Sequence, residues 1–383
     1  MRLIIDGMSA RVGGGLSYLV NQLAALRRVR PAWEVSVLTA PWNSTLVEAR
    51  QPLPIVEVAL SSVAQRYVYE QVIMPVRFRD ADALYCPGNF GPLLPLGPPV
   101  VITFQNPNYV GSGRSQAQNA GILRQGKAFL SRASAHNASA VLAISKTLYA
   151  DLAMDGFDMS KVHLLPSGAP TWSPADLNRE PPPWGRGLDR FFVSIANDYP
   201  HKRLTDLVSG WSLAYSGSPS QPPALVLVGG ISDDRIAALR QCAAQDVQDR
   251  LILLGSLEHK ADVWWLLKNA LAMISTSELE SFGLTPPEAG SASCPVVLTD
   301  IPAHREVAGD NARYMPVRDI PALAHILTNI TERVSCHWEW PTTWDDNAQQ
   351  LAEVIEGVVE RADSSHRVLA SLRKTWKRGR WRP

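Results

Sequence analysis

The sequence has little cysteine and no long apolar run. It contains four cysteines, Cys86, Cys242, Cys294 and Cys336. They form no Cys-x-x-Cys pair and no cluster with histidine, so neither a zinc site nor a disulfide framework is indicated. No apolar segment approaches the ~18 residues of a membrane span, and the run after Met1 ends at Asp6, too early for a signal peptide. We expect a protein of the cytoplasm, where thiols stay reduced.

The chain also carries little charge. Of its 383 residues 19% are charged, and the formal net charge is +1. This balance provides no bulk positive field, so no nucleic acid partner is expected. The average conceals a basic tail at 361–383, where eight Lys and Arg residues accompany a single carboxylate, Asp363. The rest of the chain is therefore mildly acidic.

Apolar residues, by contrast, make up 46% of the chain, which is enough for two sizeable cores. Short apolar runs occur at 3–5, 35–38, 100–103 and 141–144, and again at 191–195, 224–228, 251–254, 271–274 and 295–298. Such runs, separated by amphipathic helical patterns, are typical of buried parallel strands. They predict an α/β fold of two doubly wound Rossmann-like domains facing a central cleft.

A proline-rich stretch without apolar period separates the two series. We therefore predict one domain over 1–170, a linker over 171–190, a second domain over 191–343, and a C-terminal helix over 344–383 that returns to the first domain. In doubly wound sheets ligands bind beyond the carboxyl ends of the strands. The loops that follow the strands are therefore the places to look for chemistry.

The loop after the first strand contains Gly13, Gly14 and Gly15 and leads into a helix. Glycines let backbone N–H groups approach a ligand closely, and a helix start favours an anion. The spacing matches neither a dinucleotide fingerprint nor a P-loop. A plain strand-to-helix turn explains it equally well.

Two adjacent cations, Lys202 and Arg203, follow the strand at 191–195. Cations at a helix start can hold a diphosphate through charge-assisted hydrogen bonds. A solvated surface pair is the commoner meaning of such a dipeptide.

Glu280 and Glu288 lie eight positions apart before the strand at 295–298. On one continuous helix they would be ~12 Å apart along the axis. Pro286 suits the first position of a helix and Thr285 its N-cap, which leaves Glu280 on the preceding loop. Glu288 then has two possible roles, because Thr-x-x-Glu is also a capping box. Glu280 has no comparable structural explanation.

These residues resemble the signature of the retaining glycosyltransferases of family 4, which have the GT-B fold. The resemblance rests on the Glu-x7-Glu spacing around Phe282, Gly283 and Leu284, and its order of features extends over nearly the whole chain. Its other parts are the glycine loop, Ser145, Pro166-Ser167-Gly168, Lys202, Pro295-Val296-Val297 and the run Glu306 to Ala312.

The resemblance implies a donor site in the second domain and an acceptor site in the first. Glu288 would hold the ribose of a UDP- or GDP-linked sugar, and Glu280 a hydroxyl of the donor sugar. Lys202 and the backbone of Phe282, Gly283 and Leu284 would receive the diphosphate, with Gly14 and Gly15 also at the donor. The implied catalytic residues are Glu280, Lys202 and Gln105. The implied reaction retains the anomeric configuration by front-face substitution, without a metal or other cofactor.

Two positions depart from the family pattern. Asn197 stands where an arginine is common, so Arg203 would have to complete the phosphate clamp. Gln105 stands where a histidine is common and can orient the sugar but cannot titrate. A metal-type Asp-x-Asp at Asp80 and Asp82 precedes a strand rather than following one, and we expect it to begin that strand or cap a turn.

The implied acceptor is a glycan or lipid-linked saccharide, as in assembly of bacterial-type surface polysaccharides. Residues 373–383 interleave cations with Trp376 and Trp381. This composition suits peripheral binding to the anionic inner face of the cytoplasmic membrane. A solvated terminus explains the tail equally well. The alternatives for the whole chain are a catalytically silent binding or scaffold subunit and a sugar-nucleotide epimerase.

Overall fold

The computed structural model of the protein describes residues 1–10, 14–43, 55–94, 96–111, 122–169, 172–178, 180–218 and 220–378. The chain forms two compact units. Unit 1 comprises Met1–Gly168 and Trp344–Pro383, and unit 2 comprises Ala169–Thr343.

Unit 1 is built on a parallel sheet of seven strands. The strands are β1 (Arg2–Asp6), β2 (Glu34–Thr39), β3 (Ile55–Glu57), β4 (Ala83–Cys86), β5 (Val100–Phe104), β6 (Ala140–Ala143) and β7 (Val162–Leu164). Their order is β3-β2-β1-β4-β5-β6-β7, with Leu3 opposite Val35 and Ala83. The central strands are buried on both faces, which is why their sequences are continuously apolar.

The helices of unit 1 cover this sheet. They are α1 (Gly14–Val29), α2 (Val63–Val68), α3 (Met74–Arg77), α4 (Ile122–Asn137), α5 (Lys146–Met154) and the C-terminal α13 (Trp344–Arg378). Helix α13 packs on α1 through an edge-to-face pair of Tyr18 and Trp344, 5.3 Å between centroids. Buried Gln22 also donates to Asn347 Oδ1 at 2.8 Å. A buried polar group needs a hydrogen-bond partner, so the pairing of these two side chains sets the register of the two helices.

Unit 2 is built on a second parallel sheet, of six strands. They are β8 (Phe191–Ile195), β9 (Ala224–Val228), β10 (Leu251–Gly255), β11 (Ala272–Ser275), β12 (Val296–Thr299) and β13 (Ala312–Met315). The order β10-β9-β8-β11-β12-β13 places β8 and β11 side by side at the centre. Because parallel strands end at the same edge, the loops after β8 and β11 are neighbours.

The helices of unit 2 flank this sheet. They are α6 (Pro174–Leu177), α7 (Leu204–Tyr215), α8 (Asp233–Gln241), α9 (Lys260–Asn269), α10 (Thr285–Ser291), α11 (Pro302–Ala308) and α12 (Ile320–Thr328). Trp211 of α7 is fully buried and donates to the carbonyl of Pro223 at 3.0 Å. Buried Leu323 and Leu327 belong to the same core, which anchors α7 and α12 against the sheet.

The segment 171–190, where the sequence suggested a linker, is part of unit 2. Trp172 packs on Trp264 with ring centroids 4.9 Å apart, and Trp184 packs edge-to-face on Trp265 at 5.8 Å. The sequence does not reveal this packing, because two widely separated tryptophans among prolines produce no apolar period.

Candidate functional site

The loop after β8 carries Lys202 and is fixed to the loop after β11. Residues Pro200–Lys202 form one 3-10 turn before α7. The hydroxyl of Thr276 donates to the carbonyl of Lys202 at 2.9 Å, and the amide of Glu278 donates to the carbonyl of His201 at 2.9 Å. The main chain at Lys202 is therefore held by the loop after β11 and not by its own loop alone.

Lys202 and Glu280 form an ion pair at this junction. Lys202 Nζ donates to Glu280 Oε1 at 2.6 Å, and the two side chains are 20% and 13% exposed. Burial raises the pKa of Glu280, but the Lys202 ammonium, helped by a hydrogen bond from Ser277, outweighs it and leaves this pKa below its usual value. Glu280 is thus ionised at neutral pH. The ammonium, which has three N–H donors, retains capacity for an anion.

Helix α10 begins at Thr285 after a turn at Gly283, whose φ is 81°. The N-cap is Leu284, and no side chain caps the helix. The prediction that Thr285 is the N-cap is therefore wrong, and so is the capping-box role considered for Glu288. The positive φ of Gly283 brings the chain into α10 one residue earlier than the Thr-Pro pair suggested.

Glu288 is half-buried in α10, and its side chain does not cap the helix. Desolvation raises its pKa to about 7, although the positive charge of Lys260 acts to lower it. A carboxyl group whose pKa lies near 7 titrates in the physiological range, and such shifted pKa values are typical of functional sites. Sequence reasoning placed Glu288 at the site but gave no sign of Lys260.

Two tryptophans that the sequence analysis missed support α10. Trp340 packs edge-to-face on buried Phe282 with centroids 5.1 Å apart. The amide of Trp338 donates to the carbonyl of Gly290 at 3.4 Å, and its indole lies directly against Gly290. Phe282 thus serves as a packing anchor for the loop, and its backbone remains the part suited to a ligand.

Replacing Gly290 with alanine should destabilise unit 2, because a Cβ at this position would overlap the Trp338 indole. We expect a loss of about 1–3 kcal/mol, as for other overpacked sites, measured by urea unfolding. Gly126→Ala, in α4, is the control, since a Cβ there meets nothing within 4 Å. Equal stability of the Gly290→Ala variant and the parent would contradict this packing.

His304 is a further residue that the sequence analysis did not single out. It is 1% exposed, and its Nδ1 lies 2.8 Å from the carbonyl oxygen of Thr299, so we assign the proton to Nδ1. Desolvation lowers the pKa of His304, although Glu280 raises it. A Cβ on Gly283 would lie 3.9 Å from His304 Cδ2. The neutral imidazole therefore backs the turn that precedes α10.

The two positions that bear on the phosphate clamp, Arg203 and Asn197, each bind another residue. Arg203 has φ 53° and makes two hydrogen bonds to Asp206, at 2.9 and 3.0 Å, which use two of the five N–H donors of its guanidinium. Asn197 Oδ1 accepts from the amide of Gly230 at 2.9 Å. The asparagine thus joins the loops after β8 and β9. An arginine could not make this bond, because its side chain has no hydrogen-bond acceptor.

In unit 1 the structure brings two predicted residues together. A Cβ on Gly15 would lie 3.6 Å from Gln105 Oε1. The backbone N–H of Gln105 donates to Asn89 Oδ1 at 2.6 Å. Gly14 is the first residue of α1, while Gly13 lies outside the described residues. Asp82 accepts from the amide of Arg2 at 2.6 Å just before β4, as expected for a residue that begins a strand.

The membrane prediction for 373–383 is not tested, because residues 379–383 lie outside the described part of the chain and so do the side chains of 373–378. Within the described residues, no helix has the length and apolar character that a membrane span requires. Among those same residues, no group of three or more His, Cys, Asp or Glu side chains is arranged to hold a metal ion.

Comparison with known proteins finds similarity within the second unit. Residues 181–337 match the model of the glycosyl transferases group 1. The O-antigen chain mannosyltransferase RfbU of Salmonella typhimurium is 24% identical over 147 residues, which are 38% of this chain and 39% of RfbU. The aligned part thus spans about two fifths of that relative.

Solved structures extend the similarity of fold to the whole chain. Anabaena HepE, crystallised with UDP and glucose, superposes with a TM-score of 0.66 at 18% identity over 96% of this chain and 100% of HepE. WaaG, a glycosyltransferase involved in lipopolysaccharide biosynthesis, gives a TM-score of 0.65 at 16% identity over 94% and 98%. The protein therefore has the GT-B fold, and its residues 181–337 match the group 1 glycosyl transferases.

Proposed function

We propose that the protein is a retaining glycosyltransferase that moves a sugar from a UDP- or GDP-linked donor to a glycan or lipid-linked acceptor. The observation that carries the proposal is the Lys202–Glu280 ion pair of 2.6 Å, placed where β8 and β11 end and next to the helix that bears Glu288. The match of 181–337 to the group 1 glycosyl transferases covers all three residues.

The charges of this site suit a nucleoside diphosphate sugar. Cleavage of the glycosyl–phosphate bond leaves positive charge on the sugar and negative charge on the diphosphate. A preorganised ammonium at Lys202 would stabilise the leaving group. Ionised Glu280 would accept a hydrogen bond from a sugar hydroxyl, and Glu288 from the paired hydroxyls of ribose.

Retention would follow from front-face substitution and not from a covalent glycosyl-enzyme. The double displacement of retaining glycosidases uses two carboxyl groups, one as nucleophile and one as acid, whereas Glu280 at this junction is paired with an ammonium, that of Lys202. Gln105 would orient the sugar by accepting and donating hydrogen bonds, and as an amide it takes no part in acid–base chemistry.

The relatives favour a role in surface polysaccharide assembly. RfbU is described as acting on the O-antigen chain and WaaG as taking part in lipopolysaccharide biosynthesis. We accordingly propose that the acceptor is a glycan or a lipid-linked saccharide of such an assembly.

Turnover with a panel of UDP- and GDP-sugars tests this function. We expect release of the nucleoside diphosphate that depends on a saccharide acceptor, with a product of the same anomeric configuration as the donor by NMR. Diphosphate binding without turnover would instead indicate a binding subunit. Conversion of the donor without any acceptor would indicate an epimerase.

Transfer is also expected to be independent of added metal, because Lys202 supplies the positive charge that a divalent cation provides in other enzymes. Treatment with EDTA should leave the initial rate unchanged within about twofold. Loss of activity in EDTA that manganese restores would show that this site is incomplete without a metal ion.

A further inference from the structure

The helical segment 63–77 of unit 1 buries an ion pair and exposes a row of aliphatic side chains. It consists of α2, a π-helical turn at Tyr69–Ile73 and α3. Arg66 Nε lies 3.1 Å from Glu70 Oε1, and both side chains are almost fully buried. A helix on a protein surface usually turns its apolar stripe inward and its charges to water. The charged pair of this segment points the opposite way.

The outer side of the segment carries the aliphatic row. Val68, Val72 and Val76 are 58%, 54% and 49% exposed. Side chains four residues apart are neighbours on a helix surface, and Ile73, also exposed, adjoins the row. A single exposed apolar side chain needs no explanation, but a contiguous apolar patch marks an interaction site. A π-helical turn within such a segment is likewise frequent at functional sites.

The loop between β4 and β5 extends this row. Gln71 Nε2 donates to the carbonyl oxygen of Gly91 at 3.0 Å, and a Cβ on Gly97 would overlap the carbonyl oxygen of Pro75. The loop therefore lies against the helical segment near both of its ends. We call the resulting set of exposed side chains the aliphatic face; its members are Val68, Val72, Ile73, Val76, Leu94 and Leu96.

The composition of the aliphatic face favours lipid over protein as the partner. The residues that dominate protein–protein binding are Trp, Tyr and Arg, whereas Leu and Val are under-represented among them. The aliphatic face contains only Val, Ile and Leu. A bilayer surface accepts such side chains, because an apolar helix face enters the boundary between headgroups and acyl chains.

The charge beside the aliphatic face is positive. Residues 87–99 of the loop include no charged residue, and 63–80 add only Arg77, Arg79 and Asp80 to the buried pair. All three are exposed, so two cations stand against one carboxylate. Cations next to an apolar face are attracted to anionic lipid. A twofold contact with a second copy of the chain would instead bring two positive rims together.

We infer that the aliphatic face docks unit 1 on the surface of an anionic lipid bilayer, with Arg77 and Arg79 at the level of the lipid phosphates. This surface is separate from the basic tail at 361–383. The docking does not rest on the proposed function, because it requires neither a donor nor an acceptor.

Co-sedimentation of the full chain with vesicles of equal parts phosphatidylcholine and phosphatidylglycerol tests this docking. We expect the parent to bind. The triple variant Val68→Ser, Val72→Ser and Val76→Ser should lower the partition coefficient by about tenfold or more, because three apolar side chains no longer enter the bilayer. Arg79→Gln should weaken binding about fivefold. With vesicles of phosphatidylcholine alone, Arg79→Gln and the parent should bind equally.

The double variant Leu213→Ser and Val334→Ser is the matched control. These two side chains of unit 2 are exposed to a similar extent, and the variant should bind vesicles as the parent does. Failure of the parent to bind, an equal loss in the control, or unchanged binding in the triple variant would overturn the inference. Arg79→Gln decides separately: if it bound the anionic vesicles as tightly as the parent, the charge argument would be wrong.

Size-exclusion chromatography without vesicles tests the competing occupant, a second copy of the chain. We expect the parent and the triple variant to elute at the same volume. A parent dimer that the triple variant dissociates would make the aliphatic face a contact between copies and overturn the inference.

Activity separates this inference from the proposed function. The triple variant should turn over donor with a soluble saccharide acceptor within about twofold of the parent rate, because its substitutions lie on the exposed side of the segment. If the parent shows no turnover with any donor, the proposed function fails, while the sedimentation result still decides the docking.

Discussion

Lys202→Ala is expected to lower kcat by about 10²–10³-fold, the loss seen when one preorganised donor to a developing negative charge is removed. The side chain is 20% exposed and already in place, 2.6 Å from Glu280, so no reorganisation is needed when the diphosphate leaves. The measurement is the rate of nucleoside diphosphate release at saturating donor. Such a loss corresponds to about 3–4 kcal/mol of transition-state stabilisation.

Lys268→Ala is the control for this substitution. It removes an exposed lysine of the same unit and should leave kcat within about twofold. If Lys202→Ala retained more than a tenth of the parent kcat, the positive charge at this position would not be the main stabiliser of the leaving group.

Glu280→Gln is expected to lower kcat/KM by about 10²-fold. The amide preserves the shape of the side chain but removes the charge that holds Lys202, and a hydrogen bond to a charged group contributes about 1.5–3 kcal/mol. The loss should appear with donors that carry the sugar and be small in the affinity for the free diphosphate. Steady-state kinetics together with diphosphate calorimetry separates the two.

Glu278→Gln provides the comparison two residues earlier on the same loop. Its carboxylate pairs with Arg318 at 2.8 Å and not with Lys202. We expect this variant to keep kcat/KM within about threefold. Equal losses in Glu278→Gln and Glu280→Gln would mean that both act only by shaping the loop.

Much of the fold could be predicted because buried parallel strands are continuously apolar. The run at 191–195 corresponds to β8 (Phe191–Ile195), and the run at 224–228 to β9 (Ala224–Val228). Strands β3 (Ile55–Glu57) and β7 (Val162–Leu164) lie at sheet edges with three residues each. Runs this short and only partly buried leave no clear pattern.

The residues of the candidate site that could be predicted lie in loops that directly follow apolar strand runs, Lys202 after the run at 191–195 and Glu280 after the run at 271–274. Glu280 and Glu288 are close along the chain, and their loop and helix follow from local signals. Trp340, His304 and Lys260 reach the same region from distant segments, and a contact of this kind depends on tertiary packing alone. The N-cap was mistaken for a related reason: the choice between Thr285 and Leu284 depends on the positive φ of Gly283, which the Pro286 signal does not encode.

Calorimetric titration of UDP and GDP into the parent protein and Lys202→Ala tests the central claim most directly. The claim is that Lys202, Glu280 and Glu288 of unit 2 form a nucleoside diphosphate sugar site. We predict that the parent binds at least one of the two diphosphates and that Lys202→Ala weakens its binding by about 10–100-fold, the cost of a lost charge-assisted hydrogen bond. Absence of binding to both, or an unchanged Kd in Lys202→Ala, would contradict it.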